Sequence, residues 1–537
     1  MEQVHNEKIG QRLLLAFQGK DQLSPDFQEV IRELRPGGVT LFRGLNVHDP
    51  KQVLGLTDLI QRTAKQAGLP FMLIGVDQEG GQLMTIGENA TSLPGNMALG
   101  ATDSEELAER AGKVLGSELA AMGININYSP SCDVNVNPQN PVVGIRSFGE
   151  KPETVTRLAS AMIKGIQTAG VAATAKHFPG HGDANADSHF GLPVVSHSIE
   201  RLQSVELPPF KSAIEADVKL MMSAHVAFPA IDGPQAPPAT LSRKILTNML
   251  RDELGFRGVT ITDAMDMNAI PQGEALGENA LRAASAGADL LLLTSNPVDQ
   301  RRVYASLLRA TTEGRFDQNE MNASLERIAS LKKWLADSHL TRPDISTVGC
   351  AEHRRVADEI AERSITLVRH RNNMLPLRLM NNQRIAVVIP QPIDLTPADT
   401  SSYVVPSLAA ELRKYHPSVD EFFVPHSPSE RDISDVIEKM QKHDLIVVGT
   451  INAFNNPSQT SLVREILKTK IPVIVVAMRL PYDLMSFEEA STFICTYSIL
   501  QPSMQALAKA MLGRIQFNGR LPVSIPRLYP VGHGTSI

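Results

Sequence analysis

The chain is short of cysteine, of aromatic residues and of long apolar runs. Its three cysteines, Cys132, Cys350 and Cys495, are far apart and odd in number, which excludes a disulfide framework or a CxxC metal site and leaves buried free thiols as the expectation. The opening stretch MEQVHNEKIGQRLLLAFQGK has only a short apolar run with charges on both sides. That is neither a secretory core nor a membrane span, so a cytoplasmic protein without a membrane span is expected, unless a leader was removed. Charge of one sign is also lacking. Lys and Arg number 52 against 58 Asp and Glu, a net charge of -6, and no general attraction for nucleic acid or anionic membrane follows. Internal repeats, low-complexity tracts and heptad seams are absent. What remains, 42% apolar and 20% charged residues over 537 positions, is ordinary globular composition at a length that one core seldom serves, so at least two domains are expected.

Residues 176–189, KHFPGHGDANADSH, concentrate three histidines, two aspartates, a lysine and two glycines. So much polar chemistry on so permissive a backbone reads as an active site, and the small apolar run 171–175 before it reads as a buried strand ending there. The same arrangement recurs along the chain. Strands are expected at 38–42, 71–76, 124–128, 220–224, 259–262 and 289–293, with helices near 52–67, 104–122 and 153–169, and helical turns at 11–17 and 27–34. Polar residues follow at least five strands: Asp77-Gln78-Glu79-Gly80-Gly81, the loop reaching Arg146, Lys176-His177, His225 and Asp263. Strand–helix alternation with polar residues at the strands' C-terminal ends fits an α/β fold of the (β/α)8 TIM-barrel type. A doubly wound sheet would alternate similarly, but no GxGxxG loop follows the first strand. After the linker 341–344, strands at 384–389, 445–448, 473–476 and 493–495 imply a second α/β domain, an α/β/α sandwich with no polar cluster at its strand ends comparable to that at 176–189. The division expected is 1–342 and 343–537.

KHFPGHGDANADSH, the Asp77–Gly81 motif, NPVVGIRSFG at 140–149 and ITDAMDM at 261–267 together resemble glycoside hydrolase family 3, in particular its bacterial β-N-acetylglucosaminidases. SITLVRHRNNMLPL at 364–377 and NGRLPVSIP at 518–526 resemble that family's C-terminal domain. The resemblance implies a retaining exo-glycosidase acting on a small carbohydrate, without cofactor or metal, through a covalent glycosyl-enzyme. It places the nucleophile on Asp263, the acid/base on His189 with Asp187 orienting it, and sugar binding on Asp77, Arg146, Lys176 and His177. Terminal β-linked N-acetylglucosamine from peptidoglycan fragments or chitin-derived oligosaccharides is the implied substrate. One departure stands out: Gln82 occupies the place where the family often has arginine after Asp-Gln-Glu-Gly-Gly.

The residue types suit that chemistry. A carboxylate at a barrel strand's end has a rigid base from which to attack an anomeric carbon; the ordinary alternative for Asp263 is a helix N-cap. Histidine exchanges protons near neutrality without deep burial, and an aspartate two residues away can hold the ring. Arg146 offers a fixed fork of donors for hydroxyls, or else an ion pair that holds its loop. His181 and Asp183 are expected to brace their loop, His225 to be either pocket wall or support behind it, and Asp266 to cap a turn or face solvent. Two other readings stay open. A metal-dependent hydrolase would use His177, His181, Asp183, Asp187 and His189 as ligands, though no HExxH is present. A non-catalytic sugar sensor would keep the barrel for binding alone.

Overall fold

The computed structural model describes residues 8–537. The first ten strands begin with β1 (Leu13–Ala16), β2 (Gly38–Thr40) and β3 (Leu73–Val76), followed by a short antiparallel ribbon, β4 (Gln78–Gly80) with β5 (Leu83–Met84). Then come β6 (Ile126–Asn127), β7 (Ala172–Phe178), β8 (Leu220–Ser223), β9 (Val259–Thr262) and β10 (Leu291–Leu293). Leaving out the ribbon, eight strands form one parallel sheet in the order β10-β1-β2-β3-β6-β7-β8-β9. An isolated bridge between Ile261 and Leu290 ties its ends together, so the sheet closes into a barrel with helices between successive strands.

These strands are apolar on both faces because both are covered. Leu14, Leu73, Ile126, Ala172, Leu220, Val259 and Leu290 fill the interior. The long helix Gln318–His339 adds Ile328, Leu331 and Leu335 to that cluster and floors the barrel. Trp334, on the same helix, lies 5.1 Å from the Lys219 ammonium. Outside, the helices Glu105–Ala121 and Pro152–Thr168 approach so closely that a Cβ on Gly165 would stand 2.0 Å from the Glu109 carbonyl oxygen. Caps fix where the helices begin: Asp49 accepts from the amides of Lys51 and Gln52, and Ser104 from that of Leu107.

Two expectations need correction. Residues 11–17 are not helical turns, because Leu13–Ala16 is the first barrel strand, paired with both β2 and β10. A short run of leucines carries no periodicity that separates strand from helix, and closure of the sheet decides it. Strand β7 also runs beyond residue 175 to Phe178, so Lys176 and His177 lie on the strand itself.

The second sheet contains β11 (Thr366–His370), β12 (Ile385–Pro390), β13 (Val419–Val424), β14 (Leu445–Thr450), β15 (Val473–Ala477) and β16 (Thr492–Cys495) in the order β11-β16-β15-β14-β12-β13. All pairings are parallel except that of β11 with β16. Strand β13, half-buried at the edge with the mixed sequence VDEFFV, and antiparallel β11 had gone unassigned. The two domains are fastened by buried and half-buried hydrogen bonds. The Gly349 amide donates to Glu118 (2.9 Å), the Ser524 amide to Glu150 (2.8 Å), and the Asn135 side-chain amide to the Tyr482 hydroxyl (3.1 Å). All three cysteines are free; Cys132 and Cys495 are buried, whereas Cys350 is half-buried. Among the described residues, no helix is long and apolar enough to cross a membrane.

Candidate active site

The C-terminal ends of the barrel strands open into a cavity of about 510 Å³. Asp77, Arg146, Lys176, His177, His189 and Asp263 all line it. These are six of the seven positions that the sequence singled out, and the seventh, Asp187, lies directly behind His189.

One wall is an ion network. The Lys176 ammonium contacts Asp77 (2.6 Å) and Glu79 (2.7 Å), and Glu79 also takes a two-pronged contact from Arg146, Nε at 3.0 Å and Nη2 at 2.8 Å. Burial alone would raise the Glu79 carboxyl, but the two cations outweigh it and hold Glu79 down at about 2. Burial works against the charge on Lys176 as well. Asp77 and Glu79 overcome it, and the ammonium stays protonated. Arg146 ion-pairs its loop to Glu79, with Nη1 on the Val142 carbonyl, and it also lines the cavity.

His177 stands next to Lys176, and a register shift between Ala175 and Phe178 in the β7–β8 pairing lets both side chains reach the cavity. The Lys176–His177 peptide is cis. Nδ1 of His177 lies 2.7 Å from Asp133, a buried carboxylate that also accepts from the backbone amide of His181 (2.7 Å) and the hydroxyl of Ser131 (3.0 Å). Burial raises the Asp133 carboxyl, yet His177 and His181 hold it well below the usual range. His181 lines the cavity, but burial, aided by His177, pushes it down to about 4. Its carbonyl accepts from Asn140 (2.8 Å), so it braces the loop as expected. Asp183 turns away to an ion pair with His197 and a longer contact to Arg201 (3.5 Å).

His189 and Asp187 form a pair. One oxygen of Asp187 receives both the His189 backbone amide (2.9 Å) and Nδ1 of its ring (2.6 Å). Burial opposes the charge on Asp187, and these two hydrogen bonds outweigh it, so the carboxyl lies below its ordinary value. Nδ1 is thereby fixed as the donor, leaving Nε2 for the cavity. Asp263 follows β9, and no helix starts there to be capped: the next begins at Ala275. One oxygen accepts the Ala264 amide (2.8 Å). Burial pushes Asp263 up, but His225, His177, His189 and that amide together hold it at about 2. His225 is support behind the wall rather than wall. It is fully buried between the Thr240 hydroxyl (2.7 Å) and the Ala264 carbonyl (3.0 Å). Asp266 neither caps a helix nor faces open solvent. It lines the cavity, bonded to Thr294, with burial raising its pKa.

Sequence reasoning missed three contributors. Glu79 lay inside a motif of which only Asp77 was taken up, close behind β3, so strand-end position was a usable signal for it; Asp133 lies well past the end of β6 and offered none. The third, residues 394–403 of the second domain, carries no such signal, yet Asp394, Asp399, Thr400 and Tyr403 line the cavity opposite the barrel. Gln82 fastens that segment. Its carbonyl accepts the Thr400 amide (2.8 Å) and hydroxyl (2.9 Å), its side-chain amide donates to the Ala398 carbonyl (3.1 Å), and its side-chain oxygen accepts from Arg479. Gln82 thus makes a cross-domain clasp in the position where an arginine was expected. The proposed metal ligands are dispersed among separate partners, and among the described residues no group of three or more His, Cys, Asp or Glu could hold a metal ion.

The chain is 32% identical to "Beta-hexosaminidase A" of Pseudoalteromonas piscicida over 97% of each protein. It is 28% identical to "Beta-N-acetylglucosaminidase/beta-glucosidase" of Cellulomonas fimi, covering 97% of this chain and 94% of that one. Among solved structures, a glycoside hydrolase family 3 beta-N-acetylglucosaminidase from Paenibacillus sp. str. FPU-7 superposes with a TM-score of 0.92 at 36% identity, covering 97% of this chain and 98% of that one. Residues 4–331 match the glycosyl hydrolase family 3 N-terminal domain and residues 365–531 its C-terminal domain, and the protein therefore belongs to glycosyl hydrolase family 3.

Proposed function

We propose that the protein is a retaining exo-β-N-acetylglucosaminidase, with residues 1–342 as its catalytic unit, releasing terminal β-linked N-acetylglucosamine from peptidoglycan fragments or chitooligosaccharides. The observation that carries this reading is the meeting, in one cavity, of an aspartate held at about 2 and a histidine whose Nδ1 is bound by a carboxylate. Asp263 attacks the anomeric carbon and forms a glycosyl ester, while His189 passes its Nε2 proton to the departing glycosidic oxygen. His189 then takes a proton from water as it attacks, and Asp263 leaves. Asp187 orients the ring and compensates its charge in the acid form. Asp77, Lys176, His177 and Arg146 hold the sugar hydroxyls, with Glu79 and Asp133 aligning them from behind.

The preference for N-acetylglucosamine draws support from the relatives' names, and the name of the Cellulomonas fimi protein supports β-glucoside cleavage as the second reading. A panel of nitrophenyl glycosides, assayed with and without phosphate, decides between them. The β-N-acetylglucosaminide should be cleaved fastest, with water as the acceptor. Faster cleavage of the β-glucoside, or release of a sugar phosphate, would replace this reading with a glucosidase or a phosphorylase.

A further inference from the structure

A second cavity lies between the domains, at the strand ends of the second sheet. Leaving aside its antiparallel edge strand, the sheet runs β13-β12-β14-β15-β16: the chain steps from β12 outward to β13 and then returns to the other side for β14. In doubly wound sheets such a reversal leaves a crevice at the carboxyl ends of the strands, where ligands bind. At that place lies a cavity of about 210 Å³ whose lining includes Leu395 after β12, His426 after β13, Asn452 after β14 and Arg479 after β15. The barrel segment 140–145 covers it, and Val142 lines both this cavity and the catalytic one.

Three buried polar atoms from three of these loops have no partner: Nε of Arg479, Nδ1 of His426 and Oδ1 of Asn452. Arg479 is only 5% exposed. Its Nη1 is used by Asp399 (2.7 Å) and Ser401 (3.2 Å) and its Nη2 by Gln82, while Nε–H is left over. Native folds rarely leave buried donors and acceptors unmatched. The leftover set mixes a donor with an acceptor, the guanidinium charge is already answered by Asp399, and no Asp, Glu or Lys lines the cavity. An anion would confront the Asn452 oxygen and a cation the Arg479 N–H. A hydroxyl group, donor and acceptor at once, satisfies both.

We propose that this crevice is a second binding site, for a single neutral sugar, lying between the domains and separate from the catalytic pocket. Ligand-observed NMR titrations of D-glucose and N-acetyl-D-glucosamine against the full-length protein test it. Asp77→Ala and Asp263→Ala isolate this site from the catalytic one, and Asn452→Gly with His426→Leu removes it; glycine suits the left-handed backbone at position 452 (φ 54°). Asn455→Phe, which fills the cavity from an exposed rim position and leaves the three unpaired atoms in place, serves as the second variant. We expect saturable binding that survives the catalytic-pocket substitutions and weakens about tenfold or more when the site is removed or filled, with melting temperatures and kcat/KM on small aryl glycosides unchanged. Absence of saturable binding once the catalytic pocket is disabled, equal binding by the crevice variants, or competition by inorganic phosphate would overturn the proposal. None of these outcomes depends on which glycoside the enzyme prefers.

Discussion

Asp263 lies among three imidazoles yet is held ionised at about 2, so at pH 4 it is still an anion. Loss of kcat/KM between neutrality and pH 4 therefore reports groups other than this carboxylate. Replacing Asp263 by alanine removes both the attacking oxygen and the counter-charge to the oxocarbenium-like transition state, and turnover should fall by about 10³-fold or more. A 2-fluoro glycoside should label the wild-type chain on Asp263, and a peptide map that finds the label elsewhere would reassign the nucleophile. The His189 prediction is one of pattern rather than size. A proton donor matters most to a poor leaving group, so His189→Ala should harm an N-acetylglucosaminyl disaccharide far more than a dinitrophenyl glycoside. Asp187→Ala should do the same more mildly. Equal losses across leaving groups would mean that His189 binds or braces and donates no proton.

Glu79 on β4, Arg146 in the turn Gly144–Arg146 and Lys176 on β7 join three elements through one buried carboxylate. Its pKa is lowered on folding, so it stabilises the fold above the ordinary range of a glutamate, and that contribution is lost as pH falls from about 4.3 through about 2. Glu79→Gln leaves Arg146 without its carboxylate and Lys176 with Asp77 alone. It should cost about 3–5 kcal/mol by denaturant titration at neutral pH and flatten the loss of stability in that acid window; an unchanged acid limb would mean that other carboxylates control it. Elements like these were legible in unequal measure. Val259–Thr262, four apolar or β-branched residues running into an aspartate, could be placed from the sequence to the residue. Leu13–Ala16 could not, because its identity as a strand depends on β10, almost the whole barrel away in the chain. Asp263 was legible because it directly follows a strand, and Asp187 and His189 because they belong to the histidine- and aspartate-rich stretch that begins on β7. Asp133 was not taken up because its carboxylate acquires a purpose only through the ring of His177, more than forty residues on.

Across the whole molecule, the cavity is a joint product. Residues 394–403 close it from the second domain and Gln82 fastens them, so neither domain alone encloses a substrate. Gln82→Ala keeps its backbone bonds to Thr400 but loses those to Ala398 and Arg479. It should raise KM several-fold with a smaller effect on kcat, since the reacting groups stay in place; a loss confined to kcat would show that the clasp acts on the chemistry itself. The floor of the barrel offers a different handle. Trp334 is the chain's one tryptophan, set beneath the inner cluster beside the Lys219 ammonium, while the second domain has none. Indole fluorescence is thus a private channel on the barrel. In a denaturant series it should report that domain's unfolding alone, and any interval between its midpoint and that of far-ultraviolet dichroism, which sees both sheets, measures how tightly the two halves melt together.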